Sequence, residues 1–159
     1  MQEPTSSDIL KWAVETFGPC ALDRHERARR VVEEAVEVAQ AQGVDPAELH
    51  LIVERASSRP TGEIEQEIGG LIVTLEALAA NIGVDLGAAK LREWTRVTSR
   101  PREWWQRKHG EKVVAGTAAG NPPDFRSDSL SDLSPGAYLD AASLGEAMAK
   151  IARLTRPEE

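Results

Sequence analysis

The sequence predicts an all-α protein, because its apolar residues recur at helical spacing and its helix ends carry clear capping signals. The β-branched residues also fall at helical rather than alternating spacing, which excludes a sheet. With 159 residues and 41% hydrophobic content, the chain can bury one sizeable core. One domain with appendages is therefore expected.

Two helices are predicted in the first third of the chain. The first begins after Thr5, where Thr-Ser-Ser-Asp forms a capping box, and ends before Gly18. The second runs from about Asp23 to Gln42 and is followed by a glycine. A glycine directly after a helical pattern is the usual signal for a helix end.

A connecting helix and a long third helix follow. Asp45 is the expected N-cap of the connecting helix, with proline at the first helical position, and this helix ends near Ala56. The third helix is predicted from Glu63 to Ile82, again before a glycine. Its apolar stripe is the strongest core candidate in the chain: Ile64, Ile68, Leu71, Ile72, Leu75, Leu78, Ala79 and Ile82.

A fourth helix begins after Asp85 and is broken or restarted at Pro101. Residues 110–136 are rich in Gly, Ala, Ser and Pro and are expected to be a flexible tether. Residues 137–159 contain a second capping box and a narrow apolar stripe, which predict a short amphipathic helix that docks on the domain or on a partner subunit. The main helical domain is accordingly placed at residues 1–109.

Composition limits the partners and the location of the protein. There are 26 acidic and 19 basic residues, giving a net charge of −7, which argues against non-specific nucleic-acid binding. No stretch approaches 18 uncharged apolar residues, so no membrane partner is expected. The single cysteine cannot form an intramolecular disulfide, and it fits a reducing cytoplasm. A cytoplasmic protein is predicted.

Clustered acids are the main functional signal. Glu33, Glu34 and Glu37 lie on one side of the second helix, opposite its apolar side. Glu63 and Glu67 border the apolar stripe of the third helix. Antiparallel packing of these helices would bring the two acidic groups together, and clustered carboxylates suit Mg²⁺ or Mn²⁺. The alternative is that the acids form only a solvated helix face.

These motifs resemble the MazG-like members of the all-α nucleoside triphosphate pyrophosphohydrolase superfamily. The signature of that family is E-E-x-x-E, followed on a later helix by E-x-x-D. The first half stands here at residues 33–37, Glu-Glu-Ala-Val-Glu, after the basic Arg27 and Arg30. The second half aligns with residues 67–70, Glu-Ile-Gly-Gly. The similarity covers most of residues 9–108.

The resemblance implies a four-helix-bundle-like core of MazG type, a homodimer or higher homo-oligomer, and hydrolysis of a nucleoside triphosphate to monophosphate and pyrophosphate. The family's Mg²⁺ ligands carry over to Glu34, Glu37 and Glu67. The fourth acid of the signature is replaced by Gly70, which can supply no ligand. Glu63, one turn before Glu67, is the candidate to supply the missing carboxylate.

Further site residues are assigned from the same resemblance. Glu33 and Glu34 are candidates to orient or deprotonate the attacking water. Arg30, Trp12 and Lys108 are candidates for substrate binding, although Trp12 fits a core position and Lys108 fits a solvated helix end. Base and sugar preference are not predicted.

Two other functions stay open. The first is a non-catalytic nucleotide-sensing or protein-binding module that lost turnover together with the aspartate replaced by Gly70. The second is a structural helical oligomer in which the acids are only solvated.

Overall fold

A computed structural model describes residues 3–121 of the chain. Six α-helices occupy this part, and a short 3₁₀ helix at Pro19–Leu22 joins the first two. No strand occurs within the described residues, so the all-α prediction is confirmed there. The helices are α1 at Ser6–Phe17, α2 at Arg24–Ala41, α3 at Pro46–Ser57, α4 at Ile64–Ile82, α5 at Leu86–Thr98 and α6 at Arg102–Val114.

The helix ends follow local chemistry. Thr5 and Asp8 form the predicted capping box of α1: the Thr5 hydroxyl accepts from the Asp8 amide at 3.2 Å, and the Asp8 carboxylate accepts from the Thr5 amide at 2.9 Å. Asp45 caps α3 by accepting from the Glu48 amide at 2.9 Å. Gly83 ends α4 with a φ of 70°, a left-handed conformation that glycine adopts without steric cost.

The described chain forms two compact units. The central unit comprises residues 32–95, and the terminal unit comprises residues 3–31 together with 96–121. Helices α2 and α5 each begin in one unit and end in the other.

The terminal unit holds the buried core. Ala13, Val14 and Ala21 are buried, and four partly buried side chains pack against them: Leu10, Trp12, Phe17 and Leu22. Helix α1 packs against the 3₁₀ helix and against α6. The Gln106 amide joins α6 to α1 by donating to the Thr16 carbonyl at 3.2 Å.

Helix α6 continues to Val114, beyond residue 110, where the tether was expected to begin. Residues 117–121 then fold back onto the terminal unit through hydrogen bonds described below. The remainder of the predicted tether, 122–136, and the predicted C-terminal helix, 137–159, lie outside the described residues.

Within residues 3–121, no single helix combines the length and the apolar character needed to cross a membrane.

Candidate functional site

The central unit carries the acids that the sequence singles out. On α2, Glu34 and Glu37 are exposed and Glu33 is partly exposed. Because α2 runs without a break from Arg24 to Ala41, these three side chains keep the one-sided arrangement that their spacing predicts. They therefore form a continuous acidic strip along about one turn of helix.

The acids of α4 lie at the beginning of that helix. Glu63 is the N-cap residue, although its side chain makes no capping hydrogen bond, and Glu67 lies in the first turn. Negative charge is favourable at this end of a helix, because the unpaired amides there carry partial positive charge. Both side chains are exposed.

The Glu67 carboxylate lies against Gly62. A Cβ atom added at Gly62 would collide with Oε1 of Glu67, so the carboxylate lies directly over the backbone of residue 62. A glycine at this position therefore allows Glu67 to fold back over the start of α4. The sequence gives no signal for this contact, because the contact depends on the side-chain conformation of Glu67.

Gly70 lies in open space. A Cβ atom added there meets no heavy atom within 4 Å in the described chain. The backbone at residue 70 is helical and would accept another residue without strain. Neither packing nor conformation thus explains the glycine where the family signature has an acid.

The acids do not converge on a metal site within one chain. Among residues 3–121, no group of three His, Cys, Asp or Glu side chains is arranged to hold a metal ion. Helices α2 and α4 also do not pack along each other in this part of the chain. The carboxylates are suitable in type for Mg²⁺ or Mn²⁺, but their placement in a single copy does not fit a complete site.

Comparisons with protein-family models, curated proteins and solved structures found no match.

The three candidates for substrate binding all lie in the terminal unit, and each has a partner there. Arg30 pairs with Glu26, with Nε of the guanidinium 3.1 Å from Oε1 of the carboxylate, and also donates to the Thr117 carbonyl. Trp12 packs edge-on against Phe17 and Trp105, with ring centroids 5.6 and 5.8 Å away. Lys108 pairs with Glu111 at 2.8 Å. For Arg30 and Trp12 these contacts are part of the packing of the terminal unit.

A buried acid that sequence analysis missed is central to the terminal unit. Glu26 is 0% exposed. Its Oε2 accepts from the Ala119 amide at 2.7 Å, and its Oε1 lies 3.1 Å from Nε of Arg30 and 4.0 Å from the Arg27 guanidinium. Only the spacing of Glu26 and Arg30, one helical turn apart, was visible in the sequence.

Asn121 also joins the end of the described chain to the rest of the terminal unit. Its side-chain oxygen accepts from the Cys20 amide at 2.9 Å, and its side-chain nitrogen donates to the Phe17 carbonyl at 2.7 Å. Residues 117–121, named here the return segment, are thus fixed to α1, the 3₁₀ helix and the start of α2 by Glu26, Arg30 and Asn121.

Cys20 and His109 are neighbours beneath the return segment. His109 Nε2 lies 3.0 Å from the Ala119 carbonyl and 3.5 Å from the Cys20 sulfur. Since a carbonyl only accepts, Nε2 must carry a hydrogen to bond Ala119. The imidazole nitrogen that faces the sulfur therefore cannot take the thiol proton. Burial, reinforced by the charge of Glu26, also raises the pKa of the Cys20 thiol. The pair is not arranged as a nucleophile and its base.

The stability of the terminal unit should decrease as the pH falls below about 6.5, the ordinary pKa of histidine. Burial lowers the pKa of His109 in the folded protein, so in this range the unfolded chain binds a proton that the folded chain does not. The contribution of His109 to the free energy of unfolding is therefore fully present above that pH and is lost progressively below it. Urea unfolding between pH 7 and pH 5, followed by circular dichroism, measures the effect.

The matched control for this pH dependence is His109→Gln, whose amide can still donate to the Ala119 carbonyl. The variant should show a flatter profile over the same range, in which the carboxylates have not yet begun to be protonated extensively. An equal slope in the variant and the wild type would contradict the assignment to His109.

Proposed function

We propose that the protein is a nucleoside triphosphate pyrophosphohydrolase that depends on Mg²⁺, with Mn²⁺ as a possible substitute. One observation carries the proposal: the acidic strip of α2 and the acids at the start of α4 belong to one unit, and they match the E-E-x-x-E half of the signature and the first acid of its E-x-x-D half. In this reaction, water attacks the α-phosphorus, and the bond from the α-phosphorus to the oxygen that bridges it to the β-phosphate breaks. Pyrophosphate leaves with the bridging oxygen, and a nucleoside monophosphate remains.

Under this proposal the chain's acids have distinct roles. Glu34, Glu37 and Glu67 provide the carboxylates that a divalent cation needs, with Glu63 as the replacement for the acid missing at Gly70. A bound cation would neutralise charge on the phosphates. Glu33 or Glu34 orients the attacking water and accepts its proton, for which a carboxylate has to lie within hydrogen-bond distance of that water.

Pyrophosphate release from a panel of canonical and modified nucleoside triphosphates tests the proposal. The purified protein is assayed with Mg²⁺, with Mn²⁺, and with EDTA. Release that requires the metal supports the enzyme. Metal and nucleotide binding without release would instead favour the second candidate.

The second candidate is a non-catalytic module that senses nucleotides or binds a protein. Two observations favour it: Gly70 replaces an acid of the signature, and the acids of one copy do not form a complete metal site within the described residues. Binding of a nucleotide would then itself be the signal.

Gly70→Asp should distinguish the two candidates, because the open space at residue 70 accommodates a side chain. If the acids bind a divalent cation, the added carboxylate should raise Mn²⁺ affinity on the order of tenfold, as expected for one additional favourable ligand interaction of ~1.4 kcal/mol. Isothermal titration calorimetry measures the affinity. An enzyme should also gain pyrophosphate release, whereas a binding module should gain affinity alone.

Gly70→Ala is the matched control. It fills the same space without a carboxylate and should leave metal affinity unchanged, while stabilising α4 by ~1 kcal/mol through its higher helix propensity. Equal metal affinity in Gly70→Asp and Gly70→Ala would contradict a cation site beside residue 70.

A further inference from the structure

Charge is divided unevenly between the two units. The central unit, residues 32–95, contains twelve acidic and four basic residues, a net charge of −8. In the terminal unit, residues 3–31 contain five of each sign, whereas residues 96–121 contain six basic and two acidic residues. The terminal unit therefore carries a net charge of +4. The net charge of −7 for the whole chain, which argues against nucleic-acid binding, conceals this basic region.

The basic residues of this region lie on α6 and on the chain just before it. All six fall within residues 96–112: Arg96, Arg100, Arg102, Arg107, Lys108 and Lys112. One side of α6 is occupied by contacts inside the terminal unit, since Trp105, Gln106 and His109 contact α1 or the return segment. At 100° per residue, Trp104 and Arg107 fall on the other side, named here the outer side of α6.

Two arginines lie over the tryptophans at the start of α6. The guanidinium carbon of Arg100 is 4.4 Å from the ring centroid of Trp104, and that of Arg96 is 5.5 Å from the ring centroid of Trp105. The two indoles meet edge-on, with centroids 4.7 Å apart. These four side chains, named here the Arg–Trp cluster, are thus in continuous contact. Arg100 is exposed and Trp104 is partly exposed, so the cluster is accessible from solvent.

We propose that the Arg–Trp cluster and the outer side of α6 bind single-stranded nucleic acid. Nucleobases stack on aromatic rings and on guanidinium groups, which Trp104 and Arg100 supply. Arg107 and Lys108 follow Trp104 by three and four positions, so they lie beside it on the helix, and both are exposed. Such basic side chains contact phosphates. Stacking and phosphate contacts tolerate any base, so this binding is independent of sequence.

An anionic membrane is a poorer partner for this surface. Helices that lie on membranes combine their basic residues with a broad apolar side. The outer side of α6 offers two large apolar residues, Trp104 and Val114. An acidic protein segment would pair with the basic residues, but it would leave the stacking surface unused. The Arg–Trp cluster therefore favours a nucleic acid over both.

Binding of labelled oligonucleotides to the full chain tests the proposal. Fluorescence anisotropy is measured with fluorescein-labelled single-stranded RNA and DNA of mixed sequence, without nucleoside triphosphate or divalent metal. At least one of the two should bind saturably, with an affinity that falls about 20-fold between about 50 mM and about 200 mM salt, as expected when three basic side chains neutralise phosphates. Because no metal or triphosphate is present, the result does not depend on the proposed pyrophosphohydrolase activity.

Three outcomes would overturn the proposal. The first is the absence of binding to both oligonucleotides at the lower salt concentration. The second is their displacement by poly-glutamate at an equal concentration of charge, which would favour an acidic protein segment. The third is their displacement by anionic phospholipid vesicles, which would favour a membrane surface.

Arg107→Gln and Arg55→Gln localise the binding. Both remove one exposed positive charge, but Arg55 lies on α3 in the central unit. Loss of one phosphate contact should lower the affinity about fivefold at about 0.1 M salt, and it should make the salt dependence shallower. Arg55→Gln should leave both unchanged. Equal effects of the two substitutions would contradict the placement on α6.

Trp104→Leu tests the stacking contribution. The affinity should fall on the order of tenfold, as when one base loses its aromatic partner, while the salt dependence stays that of the wild type. Circular dichroism verifies that the helices are retained. An unchanged affinity would contradict the role of the Arg–Trp cluster. If this variant does not fold, the comparison of Arg107→Gln with Arg55→Gln still decides.

Glu111→Gln should act in the opposite direction. Glu111 pairs with Lys108 at 2.8 Å and lies on the outer side of α6. Its neutralisation releases Lys108 for a phosphate and removes a charge that repels the strand, so the affinity should rise about fivefold at about 0.1 M salt. An unchanged or lower affinity would contradict contact between the strand and this side of α6.

Discussion

Replacing Glu26 by glutamine should lower the free energy of unfolding by ~3 kcal/mol, the scale observed when one partner of a buried charged pair is removed. The Glu26 carboxylate is fully buried and holds the Ala119 amide and the Arg30 guanidinium at once. Glutamine keeps an acceptor for Ala119, but it leaves the arginine charge without its counter-charge. Urea unfolding monitored by circular dichroism measures the change, at one fixed protein concentration.

Glu15→Gln is the matched control for Glu26→Gln. Glu15 belongs to the same unit and pairs with Lys11 at 3.9 Å, but its side chain is 46% exposed. Its loss should change the free energy of unfolding by less than ~0.5 kcal/mol, because solvent screens such a pair. Similar effects of the two substitutions would show that Glu26 does not hold the terminal unit together.

Glu37→Gln should reduce metal-dependent pyrophosphate release by on the order of 10²-fold or more, the scale of losing one preorganised charged group in an active site. Glu37 is the last acid of the strip on α2, and its side chain is exposed. The substitution removes one negative charge and preserves size, so the fold should be unaffected. The initial rate of release at saturating nucleotide and metal measures the effect.

Glu76→Gln provides the comparison for Glu37→Gln. Glu76 lies on α4 away from Glu67 and outside the signature, so its neutral variant should keep the wild-type rate. Both variants should show the same mass and helicity as the wild type. Equal loss in both would mean that general negative charge, and not the acidic strip, determines the rate.

The helices could be predicted from the sequence because their signals are local. Thr5 and Asp8 cap α1 from within one turn, and Gly83 ends α4 in the left-handed conformation that the sequence pattern indicates. The break between α5 and α6 likewise falls beside Pro101. Each of these signals depends on residues only a few positions apart, so no tertiary structure is needed to recognise them.

The return segment could not be predicted from the sequence, because its contacts are distant along the chain. Glu26 meets the Ala119 amide 93 positions away, and Asn121 meets the Cys20 amide 101 positions away. The composition of residues 110–136 indicated only a tether. A few specific hydrogen bonds to buried partners order residues 117–121 in spite of that composition.

The acids of the candidate site illustrate the same limit. Spacing places Glu33, Glu34 and Glu37 on one side of α2, and the continuous helix preserves that side. Whether these acids meet Glu67 depends on how helices pack, which periodicity does not specify. Within the described residues, α2 and α4 do not pack along each other.

Because Cys20 is shielded, it can serve as a probe of local opening in the wild-type protein. It is the single cysteine among the 159 residues, and the residue is 5% exposed beneath Asn121 and His109. A thiol reagent can modify it only when the return segment lifts from the terminal unit. The rate of thiol labelling therefore measures how often that part of the molecule opens, without any substitution or attached dye.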